Sequence, residues 1–373
     1  MRRIFALALL SATASAAPLE DIMFSPFWDF YAMNRLSPTA CGRGYAGVAA
    51  FGDVSSTLLN PASCKTNGRF ESVLAYCYKS ELPWLRDLWD EIGETHLKTI
   101  HPCILAGISG HLGPLNAGVL YYNRSSYRLD LGLNYNTGPN GEDLGRVMAY
   151  EDVRVSVISI PVTYRFANVV SVGLSADIGY YARYLHSLSD FRQSFMHVIP
   201  RFGYIVGPIR GMSFGTSFEP RSTSTYEAVL FPDYTREDYS INVMYANTYP
   251  AKYDMGISYR APNIPLTALL DINHVWTRSC ARGLRNRHDV KIGVEYTVRN
   301  IVARVGFFTL YDYRIGPVFS LDPYAGSAHQ YFLTAGATIP GRVPVTVGIM
   351  DSHLLSRGEW KTTMVTVCLN YQR

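Results

Sequence analysis

Gly42-Arg43-Gly44-Tyr45-Ala46-Gly47 carries the glycine spacing that, between a strand and a helix, cradles a pyrophosphate on backbone N–H groups. That chemistry needs the flanking elements as much as the glycines. Met33 to Cys41 is polar and broken by Pro38, and the chain lacks the parallel sheet that would present a phosphate to a helix N-terminus. The glycines are read instead as permitting a close-packed path, with Asn60-Pro61 as a turn. For catalysis the residue types are present but not the spacing. Ser, His and Asp form no recognisable motif, the nine histidines are scattered, and His96 and His101 miss the i, i+4 spacing of a helical zinc site. No catalytic residue, metal ligand or cofactor is assigned, and the chain is not expected to be an enzyme.

The remaining chemistry-bearing residues make sense only on strands. In Thr362 to Tyr371, Val365, Val367, Leu369 and Tyr371 share one face and Thr366, Cys368 and Asn370 the other; Val343 to Ile349 and Val170 to Tyr180 repeat the pattern. This period predicts strands near 69–79, 102–112, 116–125, 152–166, 169–184, 195–206, 209–219, 248–260, 264–276, 289–298, 301–311, 327–339, 343–351 and 362–372. About fourteen is an even number, as a transmembrane antiparallel β-barrel requires. Tight turns at Gly113-Pro114, Phe166-Ala167-Asn168, Gly207-Pro208, Val298-Arg299-Asn300 and Pro340-Gly341 alternate with long connections, so short turns are expected in the periplasm and long loops outside. A β-bulge is expected where Val157 and Ile158 interrupt the phase. In the first long loop, Pro83, Trp84, Leu85, Leu88, Trp89 and Ile92 follow helical spacing. They suit a helix near the barrel mouth, packed on its own loops or offering an apolar landing site to a ligand.

Taking the apolar face as lipid-facing turns Asp254, Asp271, Lys291, Glu295 and Arg304 into the lumen. Glu295 and Arg304 then fall close enough in register to pair across neighbouring strands; the other reading gives Lys291 or Arg304 a ligand carboxylate.

Export is written at the start of the chain. Arg2 and Arg3, the apolar run Ile4 to Leu10 and the small residues Ala14-Ser15-Ala16 read as a signal peptide over 1–16. The first cysteine is Cys41, so no lipid anchor is expected. Without Arg2 and Arg3 the formal charge of +4 falls to +2, with no basic run to serve nucleic acid. Mean hydropathy near zero is what alternation produces. The six cysteines would meet an oxidising compartment, where Cys41 with Cys64 and Cys77 with Cys103 are candidate pairs and buried thiols the alternative.

Gly42 to Ser63, with Asp53, Ser55, Asn60, Pro61 and Ala62, resembles the hatch segment of the FadL-type outer-membrane long-chain fatty-acid transporters, and Ile160 to Ile178, Tyr249 to Tyr259 and Lys291 to Phe307 resemble later parts of that family in the same order. The end Asn370-Tyr371-Gln372-Arg373 departs from the terminal aromatic common in such barrels, and Ala17 to Thr39 has no counterpart. The resemblance implies a signal peptide over 1–16, an extension and hatch over 17–68 in which Gly42, Gly44 and Gly47 join the motif, and a barrel over 69–373. It also implies a monomer in the outer membrane of a diderm bacterium, surrounded by outer-membrane lipid. Such a barrel takes up long-chain fatty acids or other hydrophobic small molecules passively, capturing them among its loops and releasing them through hatch movement and a wall opening. A secretion-system adaptor barrel and a general porin are the alternatives.

Overall fold

The computed structural model describes residues 37–65, 69–79, 97–98, 103–137, 143–166, 169–186, 191–230, 241–280, 284–313, 329–356 and 361–373. The signal peptide, most of the N-terminal extension and the predicted loop helix of Trp84, Leu85, Leu88, Trp89 and Ile92 lie outside these residues.

Alternation of small or polar with apolar side chains produces the wall. Its strands in chain order are β1 Phe70–Lys79, the two-residue β2 Leu97–Lys98, β3 Cys103–Leu112, β4 Leu115–Thr137, β5 Asp143–Phe166, β6 Val170–His186, β7 Phe191–Ile209 and β8 Met212–Glu219. They continue with β9 Ser222–Leu230, β10 Ile241–Tyr249, β11 Lys252–Arg260, β12 Leu266–Val275, β13 Arg287–Val298, β14 Ile301–Leu310, β15 Gln330–Ile339, β16 Val345–Asp351 and β17 Thr363–Gln372. Leaving aside β2, β9 and β10, a closed barrel of 14 antiparallel strands results, each beside its neighbour in sequence. Closure comes from β1 against β17, running from Glu71 opposite Gln372 to Lys79 opposite Met364. Glu71 locks this seam: its buried Oε1 accepts from Asn370 Nδ2 at 3.0 Å and Gln372 Nε2 at 2.8 Å. The polar chain end that departs from the usual aromatic pattern thus has a partner.

Outward positions such as Ile158, Ile160, Val162, Leu174, Ile257, Ile272, Ile349 and Leu369 are large, apolar and exposed all round the wall. Only a bilayer would cover such a surface.

Four features differ from the expectations. First, β4 and β5 run far beyond residue 125 and back before 152, into the predicted loop. The expected phase broke at Arg124-Ser125, where β4 carries a register shift against β5 between Asn123 and Ser125; further shifts follow between Asp130 and Gly132 and at Asn136-Thr137, so no single phase runs through the outer part of the strand. At about 3.3 Å per residue β4 is roughly 75 Å long, and at the usual tilt of about 35–45° it rises roughly 55–60 Å, about twice the ~25 Å apolar band of such barrels, so the β4–β5 ribbon projects well past the bilayer. Second, no bulge stands at Val157-Ile158, where β5 keeps an unbroken register with β6. Val157 is an inward apolar residue packed in the lumen, and Ile158 keeps the outward phase. Third, the predicted loop 220–247 contains β9 and β10. Their register, Tyr249 opposite Ser222, continues that of Lys252 opposite Glu219 in β11 and β8, with Pro220 and Pro250 between. Proline has no N–H to donate, so the ladder is interrupted over two positions, Pro220 opposite Ala251 and Arg221 opposite Pro250, and then resumes. Fourth, the turn placed at Gly207-Pro208 lies at Arg210-Gly211, both at positive φ, which matches a two-residue hairpin turn.

Candidate functional site

Residues 37–65 lie inside the barrel. Their local shape follows from short polar caps. Ser37 Oγ accepts from the Ala40 N–H at 3.4 Å ahead of the short helix α1, Pro38–Gly42. Asp53 Oδ1 accepts from the Ser55 N–H at 2.9 Å to start a 3-10 turn at Val54–Leu58, and Asn60 Oδ1 does the same for Ala62 at 2.9 Å ahead of Pro61–Ser63. The Asp-x-Ser and Asn-Pro-Ala letters are therefore capping motifs. Gly44 at φ 65° and Gly47 at φ 152° take backbone conformations costly for any residue with a side chain.

The wall is thinned to receive this path. Gly173 faces Gly203, Gly215 faces Gly256, and Gly293 faces Gly306 as direct cross-strand partners. A Cβ on Gly306 would collide with the Gly44 nitrogen and Arg43 carbonyl carbon; on Gly173, with Pro61 and Ala62; on Gly215, with Val48 and Ala49. These glycine pairs form a seat for the segment's main chain.

Four polar stations fasten it there. Arg43 and Arg304 both donate to Glu295 Oε1, at 3.1 and 2.8 Å, and Glu295 is the register partner of Arg304. Thr334 Oγ1 accepts from the Gly44 N–H at 2.9 Å. Asp271 Oδ2 accepts from the successive N–H groups of Gly47 and Val48 at 2.6 and 2.9 Å. The fourth station is the largest. Arg201 donates to the Thr57 and Leu58 carbonyls at 3.0 Å each, while its Nε lies 3.0 Å from Asp177, which also accepts from Tyr122 Oη at 3.1 Å and Ser159 Oγ at 2.6 Å. Asn60 Nδ2 reaches the Val48 carbonyl at 2.7 Å, and the hydroxyls of Thr163 and Ser171 hold the Pro61 and Ala62 carbonyls.

All five inward charges read from the sequence are in the lumen, grouped at β11 to β14. Asp254 accepts from Lys291 at 3.2 Å and from Asn273 at 2.7 Å. Sequence reasoning placed Asp177 on the inward phase without assigning it a role, and missed Arg201. Arg201 shares its face with Phe195 and Ile199, so polarity does not mark that face as inward.

With Glu295 shared between two guanidinium groups, Arg304→Ala leaves Arg43 as its partner. The expected loss of stability is about 1–3 kcal/mol by urea denaturation, with ligand affinity unchanged in the folded fraction. A tenfold weaker ligand affinity at unaltered stability would assign Arg304 to the ligand instead.

On the side of the segment remote from Arg373, the lumen is apolar over most of its circumference. Leu105, Leu120, Val155, Tyr181, Phe308 and Phe332 are among the buried inward residues of one continuous cluster, and Leu58 and Leu59 of the segment pack against it. Phe308 and Phe332 stack at 4.5 Å, and Tyr45 meets Phe308 edge-on at 5.4 Å. Beside this cluster a cavity of about 10 Å³, room for a single water-sized body, is lined by residues including Arg124, Val157, His197, Ile199 and Tyr249. Each inward cation in these contacts has a carboxylate: Arg124 has Glu219 at 3.7 Å, Lys252 and Lys291 have Asp254, Arg287 has Asp289, and Arg201 has Asp177. Cys41 remains a thiol, pushed up to about 12 by burial and so protonated at neutral pH. Cys64, Cys77 and Cys103 are likewise free, buried thiols, so neither candidate pair is bonded, although Cys77 and Cys103 stand directly opposite each other across β1 and β3.

At the far rim, Asp351, His353 and Thr363 gather, but Asp351 Oδ2 and Thr363 Oγ1 lie 2.9 and 3.4 Å from the same ring nitrogen, Nδ1. A relay needs them on opposite nitrogens.

No family model matches the sequence, and no curated protein matches it. Solved structures do match over nearly their whole length. The toluene transporter TodX of Pseudomonas putida superposes with a TM-score of 0.63 at 12% identity, covering 91% of this chain and 98% of its own. The toluene transporter TbuX of Ralstonia pickettii gives 0.62 at 13% identity, with 90% and 98% covered. A Pseudomonas aeruginosa FadL homologue gives 0.62 at 10% identity, with 92% and 99% covered. At these identities the likeness is one of fold.

Proposed function

We propose that this chain is an outer-membrane channel for passive uptake of hydrophobic small molecules. The observation that carries this reading is the apolar, aromatic-lined lumen closed on one side by the seated segment. A hydrated solute gains nothing from such a lining, whereas an apolar molecule gains by leaving water, on the order of 25 cal/mol per Å² buried. The general porin is disfavoured for the same reason, since porin interiors are polar. The fold shared with two toluene transporters and a FadL homologue agrees with the proposal.

Within it, long-chain fatty acids and uncharged hydrocarbons are both candidate cargo. The charge pairing favours molecules that need no cation, because a fatty-acid carboxylate would have to displace an existing partner of Arg124, Lys291 or Arg304. A route out of the wall is offered where β4 and β5 lose their pairing between Ala117–Val162 and Leu120–Ser159, opposite Pro161. Val54 of the segment lies behind this gap against Gly107 and Gly118, so a shift of the segment would uncover it.

The test is competition in detergent: labelled oleate is titrated onto barrel whose folding is confirmed by heat-modifiable gel mobility, then displaced by methyl oleate. Saturable binding, with ester and acid within about threefold, is the expected result. Preference for the acid by tenfold or more would restore the fatty-acid reading. Absence of binding by either would favour a secretion adaptor that docks proteins.

A further inference from the structure

His274 and His288 are direct partners in the β12–β13 register, near the end of the barrel remote from Arg373. Their Nδ1 atoms stand 3.0 Å apart and their rings 4.3 Å apart, with Trp276 set edge-on to His274 at 4.4 Å. Both continue the outward face on which Leu270, Ile272 and Ile292 are exposed, so neither takes part in the lumen. Two imidazoles facing each other interrupt an otherwise apolar and aromatic surface. In the neutral pair one Nδ1 donates its proton and the other accepts it, so two nitrogen lone-pair directions converge on one point.

We propose that His274 and His288 form a two-histidine site for a late first-row transition-metal ion, exemplified by zinc. The ion takes the place of the shared proton, which moves to Nε2 of the donating ring on its solvent side; the neutral pair therefore releases no proton. With Zn–N bonds of roughly 2.0–2.1 Å and tetrahedral angles, the two nitrogens need to stand about 3.3 Å apart. That is a few tenths of an ångström beyond the present spacing, within the reach of small χ rotations. Water completes the coordination, since no set of three or more His, Cys, Asp or Glu side chains is gathered among the described residues. His288 is exposed and His274 half-buried, which leaves the position open to an incoming ion. The bound ion would clip β12 to β13 at the rim.

Calorimetric titration of ZnCl₂ into the folded barrel in detergent tests this. The wild type is expected to bind one equivalent, and His274→Gln and His288→Gln each to bind at least tenfold more weakly while keeping heat-modifiable mobility. Cu²⁺ in the same site should show coupling to two imidazole nitrogens by electron paramagnetic resonance. If either variant fails to fold, Zn²⁺ protection of His274 and His288 from diethyl pyrocarbonate in the wild type gives the same reading. No saturable binding by the wild type, unchanged affinity in both folded variants, or no protection overturns the assignment.

Discussion

Gly306→Val is expected to unseat the internal segment while leaving the barrel closed. The new Cβ would meet main-chain atoms of Arg43 and Gly44, which no rotamer change can move aside. That main chain is itself held by the Arg43–Glu295 pair and the Gly44–Thr334 hydrogen bond. Overpacking of this kind costs about 1–3 kcal/mol before any polar contact is lost, and displacement would add the loss of these two stations. Arg43, 3% exposed, is protected in the wild type. In the variant, trypsin should cut after Arg43 in folded, heat-modifiable protein, and ion conductance in a planar bilayer should rise well above wild type. Gly341→Ala is the control, since a Cβ there meets nothing nearer than 3.5 Å. A folded Gly306→Val barrel with Arg43 still protected would show that the seat is loose and the glycine pairs incidental.

The second large effect concerns Arg201. Arg201→Ala strips the buried Asp177 of its cation and frees the Thr57 and Leu58 carbonyls at once. Removing one partner of a buried pair costs about 3–5 kcal/mol, because the charge left behind has neither water nor counter-ion. Ser159, Ser175 and Tyr122 still hydrogen-bond Asp177 in the variant, which keeps the loss towards the lower part of that range. The urea midpoint of reversible unfolding in micelles should drop accordingly. The double variant Arg201→Met with Asp177→Asn should recover most of the loss, since neutral groups of similar volume carry no such penalty. A double variant no more stable than Arg201→Ala would move the cause from the buried charge to the two carbonyls.

The wall was the legible part of the sequence. Period-two alternation places all fourteen barrel strands, and its phase turns Asp254, Asp271, Lys291, Glu295 and Arg304 inward, because a strand in a bilayer must keep one face apolar. Alternation stopped being informative beyond Asn123, where register shifts in β4 against β5 break the phase, and in the β9–β10 ribbon, which is cut off from the β8–β11 ladder by Pro220 and Pro250. It misled at Val157, since an apolar lumen makes inward and outward residues alike. Within the segment, Asp53, Ser55, Asn60, Pro61 and Ala62 stood out as a motif, and their capping roles follow from chemistry readable in the letters. The seat did not stand out. Gly173 and Gly203, or Gly293 and Gly306, are thirty and thirteen positions apart in the chain, and only the register makes each pair one recess. Arg201 was hidden by the same apolar surroundings that make its pairing with Asp177 strong.

The prolines at 220 and 250 uncouple the β9–β10 ribbon from the β8–β11 ladder, since no register pair stands between Glu219–Lys252 and Ser222–Tyr249. The ribbon meets the wall instead through β7, where Ser222 Oγ donates to the Val198 carbonyl at 3.1 Å and the Tyr249 ring lies 4.3 Å from His197. The β4–β5 ribbon has no such break at the same height, where Asn123 to Asp130 pair continuously apart from the one-residue bulge. That ribbon is thus continuous in pairing with the wall down to the two unpaired positions opposite Pro161, whereas the proline-broken ribbon is uncoupled from its ladder before it reaches the wall.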